Sequence, residues 1–229
     1  MIDLQREPVF TWRPTQDAER VHAIHLVATS TGPAGMVRPD PIEHFQRHMG
    51  ECGQTLGCFL EDGSMVAYGV LATKSATLDQ LAEKLGADPG LLCLLDGASA
   101  LPEWRGNGLH FHGIQERILH ASSLGRTQIG ATVAPENIRS VRGLFRSGLH
   151  VRAFGVMYGG LPRLIVYRDL MAPEREWRHV LSVPLRDHAG HRHALGEGLT
   201  GFACRPLADG IWVAEYGIGH VCQTPPFRA

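Results

Sequence analysis

Pro102-Glu103-Trp104-Arg105-Gly106-Asn107-Gly108-Leu109 separates two segments of opposite character, and its reading decides the fold. Upstream, Gly90-Leu91-Leu92-Cys93-Leu94-Leu95 is apolar and short enough for a buried strand. Downstream, Leu109, Ile114, Ile118 and Leu119 recur at helical spacing. A strand that feeds a glycine turn and then a helix offers free backbone N–H groups and the positive end of the helix dipole to one anion. Gly106 and Gly108 let the backbone approach that anion, and Arg105 adds charge, so the stretch reads as a pyrophosphate-binding loop.

Around this centre the chain alternates. Phe10-Thr11-Trp12-Arg13-Pro14-Thr15 reads as an opening strand that ends at Pro14, and Asp17 caps a helix with Ala18, Val21, Ile24, His25 and Ala28 on its apolar face. A Gly- and Pro-rich loop from Thr29 to Pro41 precedes a short helix from Ile42 to Met49. Two strands, Thr55 to Leu60 and Met65 to Ala72, flank the hairpin signal Glu61-Asp62-Gly63-Ser64. Thr77 to Leu85 is helical in pattern and precedes the central strand of residues 91 to 101. After the glycine turn come a helix over 109 to 124, a strand from Thr127 to Val133, and a helix opened by Pro135-Glu136-Asn137 and closed at Gly148. Strands Val151 to Tyr158 and Leu164 to Leu170 follow. This alternation implies an α/β fold with a mixed sheet and helices on both faces.

Residues 171–229 lack a long apolar pattern and read as a C-terminal appendage of short strands and loops, with Val180 to Leu185 and Ile211 to Ala214 as its strands. No internal repeat is evident. Asp187-His188-Ala189-Gly190-His191-Arg192-His193 gathers metal-ligand residue types, but its spacing matches no helical i, i+4 pair, so a solvated turn is expected.

Composition narrows the function. At 44% hydrophobic and 20% charged residues, 229 residues form an ordinary globular protein, and a net charge of -1 gives no field to attract nucleic acid. No segment reaches the length of a membrane span, and no signal-peptide core is present, which points to the cytoplasm. Five cysteines without a C-x-x-C pair fit reduced thiols rather than a zinc site, so no metal is expected.

The pattern Arg105-Gly106-Asn107-Gly108-Leu109-His110, with its Pro102-Glu103-Trp104 lead, resembles the acyl-CoA loop of the GNAT (Gcn5-related N-acetyltransferase) family. A second block, Asn137-x-x-Ser140 with Phe145-x-x-Gly148, is similar to the family's helix after the fifth strand. The resemblance covers about residues 7–170 and implies a mostly antiparallel GNAT-like sheet with acetyl-CoA as co-substrate. On that basis Ala100 and Leu101 would meet the pantetheine, and Arg105, Gly106, Asn107, Gly108, Leu109 and His110 the pyrophosphate. Asn137 would reach the pantetheine and Phe145 would flank the acyl-CoA tail.

The sequence departs from that pattern at two positions. His110 stands where Gly or Ala is usual, which crowds the helix entrance, and Leu144 stands where the family often has a general-acid tyrosine. Direct transfer to a primary amine then needs a base, for which Asp96 on the central strand is the candidate if burial raises its pKa, and an acid, for which Tyr158 is the candidate. The acceptor site is expected between the Thr29 to Pro41 loop and the Val151 to Pro162 hairpin. The appendage is expected to close the cleft or to form a homodimer surface. The alternative is a catalytically silent acyl-CoA-binding sensor or interaction protein.

Overall fold

The structure is a computed structural model that describes residues 8–32 and 35–222. One ten-stranded sheet forms its frame. Its first strands are β1 (Thr11–Pro14), β2 (Gly53–Phe59), β3 (Met65–Ala72) and β4 (Leu92–Ala100), followed by β5 (Gln128–Val133), β6 (His150–Met157) and β7 (Leu161–Asp169). The last are β8 (Arg175–Pro184), β9 (Thr200–Pro206) and β10 (Trp212–Val221). The spatial order is β1-β2-β3-β4-β5-β7-β6-β9-β10-β8. All neighbours are antiparallel except β4 and β5.

Among the described residues six α-helices cover the sheet: α1 (Ala18–Thr31), α2 (Ile42–Arg47), α3 (Ala76–Leu85), α4 (Leu109–Ser123), α5 (Ile138–Arg146) and α6 (His188–Gly196). Their starts follow local chemistry. Asp17, Ser75, Asn137 and Asp187 each accept a hydrogen bond from the N–H three residues on, at the heads of α1, α3, α5 and α6. The head of α4 is different, because Gly108 has no side chain to cap it.

β3 is buried along its whole length, as expected of a strand covered on both faces. The largest apolar cluster lies between β4, β5, β7 and helices α4 and α5, with Ile114, Ile129, Leu149 and Leu164 fully buried. Each such side chain contributes about 2 kcal/mol. The cluster continues through Val183, Leu185, Ala194 and Tyr216, so the C-terminal segment shares this core.

Residues 171–222 are more ordered than their sequence suggests. The Asp187 to His193 stretch, expected as a solvated turn, is the start of α6, and His191 is completely buried there. The reason is the carboxylate cap, with Asp187 Oδ1 accepting from Gly190 N at 2.9 Å, and a buried position where both ring nitrogens of His191 find partners. The segment does not merely pack on the rest, since β9 joins β6 through Val151 and Gly201 and extends the sheet.

Candidate active site

β4 and β5 run parallel for only three pairs, Leu92 with Gln128, Cys93 with Ile129 and Leu94 with Gly130. Beyond them the strands part, and an open cleft of about 110 Å³ occupies the gap. Leu95 to Ala98 form one wall and Ala131 to Ala134 the other, while Asn137, Ser140 and Leu144 of α5 close the side. Met36, Val37, Arg38 and Asp40 reach it from the α1–α2 connection, and Tyr158 and Arg163 from the β6–β7 hairpin. The two segments expected to frame the acceptor therefore meet at one cleft. Residues 33 and 34 of the first lie outside the described residues.

The glycine turn leads into the cleft through His110, the second residue of α4, which lines it. Gly106 and Gly108 have φ of 96° and 72°, a region that favours glycine, and Arg105 to Gly108 are exposed. Because α4 lacks a side-chain cap, its first N–H groups remain available to an anion. Arg105 is held over the turn by Nε donating to Ala100 O and Nη2 to Thr31 Oγ1, each at 3.3 Å, and Asn107 Nδ2 donates to Trp104 O. Leu109 is buried and anchors the helix entrance. The chain's own groups thus fit a pyrophosphate here.

His110 lies against α5 at the position of Gly143, where a Cβ would come within 2.5 Å of its Nδ1. Gly143 therefore relieves the crowding expected from a histidine at this loop position. Burial, with the nearby Arg117 guanidinium adding to it, pushes His110 down to about 4. The neutral ring is the folded form, whereas the unfolded chain takes up a proton near 6.5. Stability should accordingly be full above that value and fall toward pH 4, by about 2 kcal/mol at about pH 4.5 from this residue alone. His150, pushed to about 4 chiefly by burial, acts in the same direction. Urea unfolding of wild type and His110→Gln at neutral and acid pH checks this, since the variant should lose part of the acid sensitivity. Equal sensitivity of the two would remove His110 as a source.

Arg117, which sequence reading passed over, supports the wall of the cleft. The β3–β4 register slips between Gly69 paired with Ala98 and Leu71 paired with Leu95, leaving Asp96 and Gly97 opposite Val70. This bulge turns carbonyls away from the ladder. The fully buried Arg117 donates from Nη1 to Val70 O at 3.0 Å and Asp96 O at 3.2 Å, and from Nε to Gly113 O at 2.9 Å. Gly69 makes room for it, because a Cβ there would lie 2.7 Å from Arg117 Nε.

Asp96 occupies the bulge and lines the cleft. Its carboxylate faces Arg38 Nη2 and His44 Nε2, both at 3.6 Å, and Arg38 also pairs with Asp40 at 2.6 Å. His48 Nδ1 donates to His44 O at 2.7 Å, and among the described residues neither Nε2 of His44 nor that of His48 has a hydrogen-bond partner. Burial lowers the pKa of His44 despite the acidic neighbours. One ligand atom each from His44, His48 and Asp96 lies within 4.8 Å of the others, a donor set that fits a divalent transition metal, although Arg38 competes for the carboxylate. The sequence reading named Asp96 alone, because the histidines sit 48 to 52 residues away and only the fold brings them behind it.

Tyr158 lines the cleft at φ 51°, the left-handed region that a tyrosine seldom adopts. Its Oη lies 2.9 Å from Thr132 Oγ1, the Arg38 guanidinium stacks 4.6 Å over its ring, and burial raises its pKa. Asn137 borders the cleft, but its Oδ1 is used to cap α5.

Ala100 lines a smaller pocket beside Trp12 and Tyr68 that shares Ala98, His110 and Arg117 with the cleft, and Leu101 packs against the Ile24–Phe45 cluster. Phe145, one position past Leu144 on α5, is partly buried against the main core cluster.

No protein-family model and no curated protein sequence matches the chain. Solved structures do. A GCN5-related N-acetyltransferase from Kribbella flavida is 15% identical with a TM-score of 0.54, covering 70% of this chain and 98% of its own. A GNAT superfamily phosphinothricin acetyltransferase from Sinorhizobium meliloti, in complex with acetyl-CoA, is 17% identical with a TM-score of 0.52, covering 70% and 88%. The ribosomal-protein-S5-alanine acetyltransferase from Vibrio fischeri is 11% identical with a TM-score of 0.52, covering 71% and 93%. At these identities the likeness is one of architecture, and it agrees with the parted parallel strands and the uncapped glycine turn: the chain has the fold of the GNAT acetyltransferases.

Proposed function

We propose that the chain is an acyl-CoA-dependent N-acyltransferase that moves an acetyl group from acetyl-CoA directly to a primary amine. The observation that carries this reading is the cleft in the gap between β4 and β5, which is lined by His110, just past the glycine turn, and by Asp96 and Tyr158. Asp96 takes a proton from the attacking amine, and the nitrogen adds to the thioester carbonyl. Backbone N–H groups of β4 stabilise the oxyanion until the C–S bond breaks. Tyr158 Oη then supplies the proton to the leaving thiolate. His44, behind Asp96, is placed to share the proton that the carboxylate collects.

Acetyl-CoA and a panel of amines test the reaction by thiol release. Tight CoA binding without turnover would instead support the silent sensor. Gly108→Trp is expected to abolish CoA binding under either reading, measured by calorimetry, because it fills the turn and strains its φ of 72°. Normal CoA binding by that variant would remove the turn from the site.

The His44, His48 and Asp96 group favours a second arrangement, in which a divalent metal is held behind the base. Turnover that survives dialysis against a chelator separates the two. A reducing, cytoplasmic setting accords with the free state of all five cysteines, and no helix among the described residues is long and apolar enough to cross a membrane.

A further inference from the structure

Residues 181–217 retrace residues 131–167 at a constant offset of fifty. The β5–β7 pairs Val133–Leu164, Thr132–Ile165 and Ala131–Val166 recur as the β8–β10 pairs Val183–Ala214, Ser182–Glu215 and Leu181–Tyr216. The β6–β7 pairs Val156–Pro162, Phe154–Leu164, Ala153–Ile165 and Val151–Val166 recur as Pro206–Trp212, Cys204–Ala214, Ala203–Glu215 and Gly201–Tyr216. Even the bulge that passes over Arg152 has its counterpart at Phe202.

The helices between them agree as closely. Asn137 and Asp187 cap nine-residue helices at φ −80° and −85°. Gly148 and Gly198 follow at φ 76° and 75°. The N–H groups of Leu149 and Leu199 then donate to Leu144 O and Ala194 O, both at 3.1 Å.

The two units are also arranged symmetrically. The order β5-β7-β6-β9-β10-β8 reads the same from either end, and the antiparallel seam joins Val151 to its own counterpart, Gly201. Each helix reaches over that seam. Arg142 of α5 stacks 5.1 Å over Trp212, and its counterpart Arg192 of α6 stacks 5.5 Å over Phe154. The two arginines are counterparts while their ring partners are not, but the helices themselves pack reciprocally, α5 on β9 and α6 on β6, and reciprocal contacts about a two-fold axis are the mark of an isologous dimer interface.

The second unit has kept that interface and lacks a cleft. Among the described residues, β8 has β10 as its one neighbour, with no parallel strand in the place that β4 takes beside β5. The ring of His191 is tied inward, Nδ1 to Tyr216 Oη at 2.9 Å and Nε2 donating to Leu185 O at 3.0 Å.

We propose that residues 181–217 are a second copy of residues 131–167 and that the C-terminal segment takes the place of a partner subunit, so that the seam is a dimer interface built within one chain and the protein is a monomer. The unit also bears on the site, since His188 pairs with Glu136, next to Asn137 at the edge of the cleft.

Two measurements on the full chain test this. Sedimentation of the wild type over a hundredfold range of concentration should give one species of 25.1 kDa. In Val151→Cys/Gly201→Cys, a Cβ at residue 201 lies 2.9 Å from that of residue 151, within reach of a disulfide once the strands give slightly. Peptide mapping after mild oxidation should find 151 linked to 201 within single chains. A concentration-dependent wild-type dimer, a 151–201 bond joining two chains, or a folded variant that forms no such bond would each overturn the proposal. If the variant fails to fold, the wild-type sedimentation decides.

Discussion

Arg117→Met is expected to destabilise the protein by about 3–5 kcal/mol, the cost of leaving buried carbonyls without donors after removing their charged partner. The methionine fills most of the volume, so the loss comes chiefly from Val70 O and Asp96 O, which the bulge has turned away from the ladder. Arg117 is buried and held to about 10, below the ordinary range of arginine, yet remains charged at neutral pH. Arg117→Lys should recover little, because one ammonium cannot reproduce the fork that serves both strands and Gly113 O. Denaturant unfolding measures the difference. A loss below about 1 kcal/mol would mean that water serves the bulge carbonyls equally well.

Asp96→Asn should lower turnover about 10²- to 10⁴-fold while leaving CoA affinity within about twofold, the range expected for losing a general base. The amide keeps the shape of the side chain, and the backbone carbonyl bound by Arg117 is untouched. Reduced turnover with unchanged CoA binding separates this from collapse of the cleft wall. Turnover near that of the wild type would take the base assignment away from Asp96 and direct attention to His44, 3.6 Å behind it.

The legible parts of this fold were those coded by contiguous residues. The glycine turn, the Asn137 cap and the hairpin at Glu61 to Ser64 each carry their signal within a few positions, and each is found where expected. Long-range partners left little trace in sequence. Arg117 reads as a surface position within a helix until the bulge is known, and Gly69 and Gly143 gain meaning only from the side chains they admit. His44 and His48 read as part of an ordinary short helix until β4 sets Asp96 against them. The point at which β4 and β5 part is likewise set by strand pairing rather than by composition.

The C-terminal segment was obscure for a related reason. Over the matched stretch the same residue recurs at only six positions, Val133, Arg142, Gly148, Leu149, Ala153 and Gly160 with their counterparts fifty later. These serve caps, turns and the seam, while the apolar pattern around them has drifted. α6 carries His191 where α5 carries Val141, a polar residue made acceptable by Tyr216 Oη and Leu185 O.

The meeting of Val151 with Gly201 has an evolutionary consequence. When two identical subunits touch across an axis, any substitution at the axis alters both sides together, so a large residue must face a large one and a small residue a small one. Here a valine faces a glycine, and a side chain added to the glycine would come 2.9 Å from the valine Cβ. A matched pair of valines would collide at this spacing and a matched pair of glycines would leave a void. Joining both sides in one chain permits the unequal fit, and the two halves are then free to diverge position by position, one toward chemistry and the other toward support.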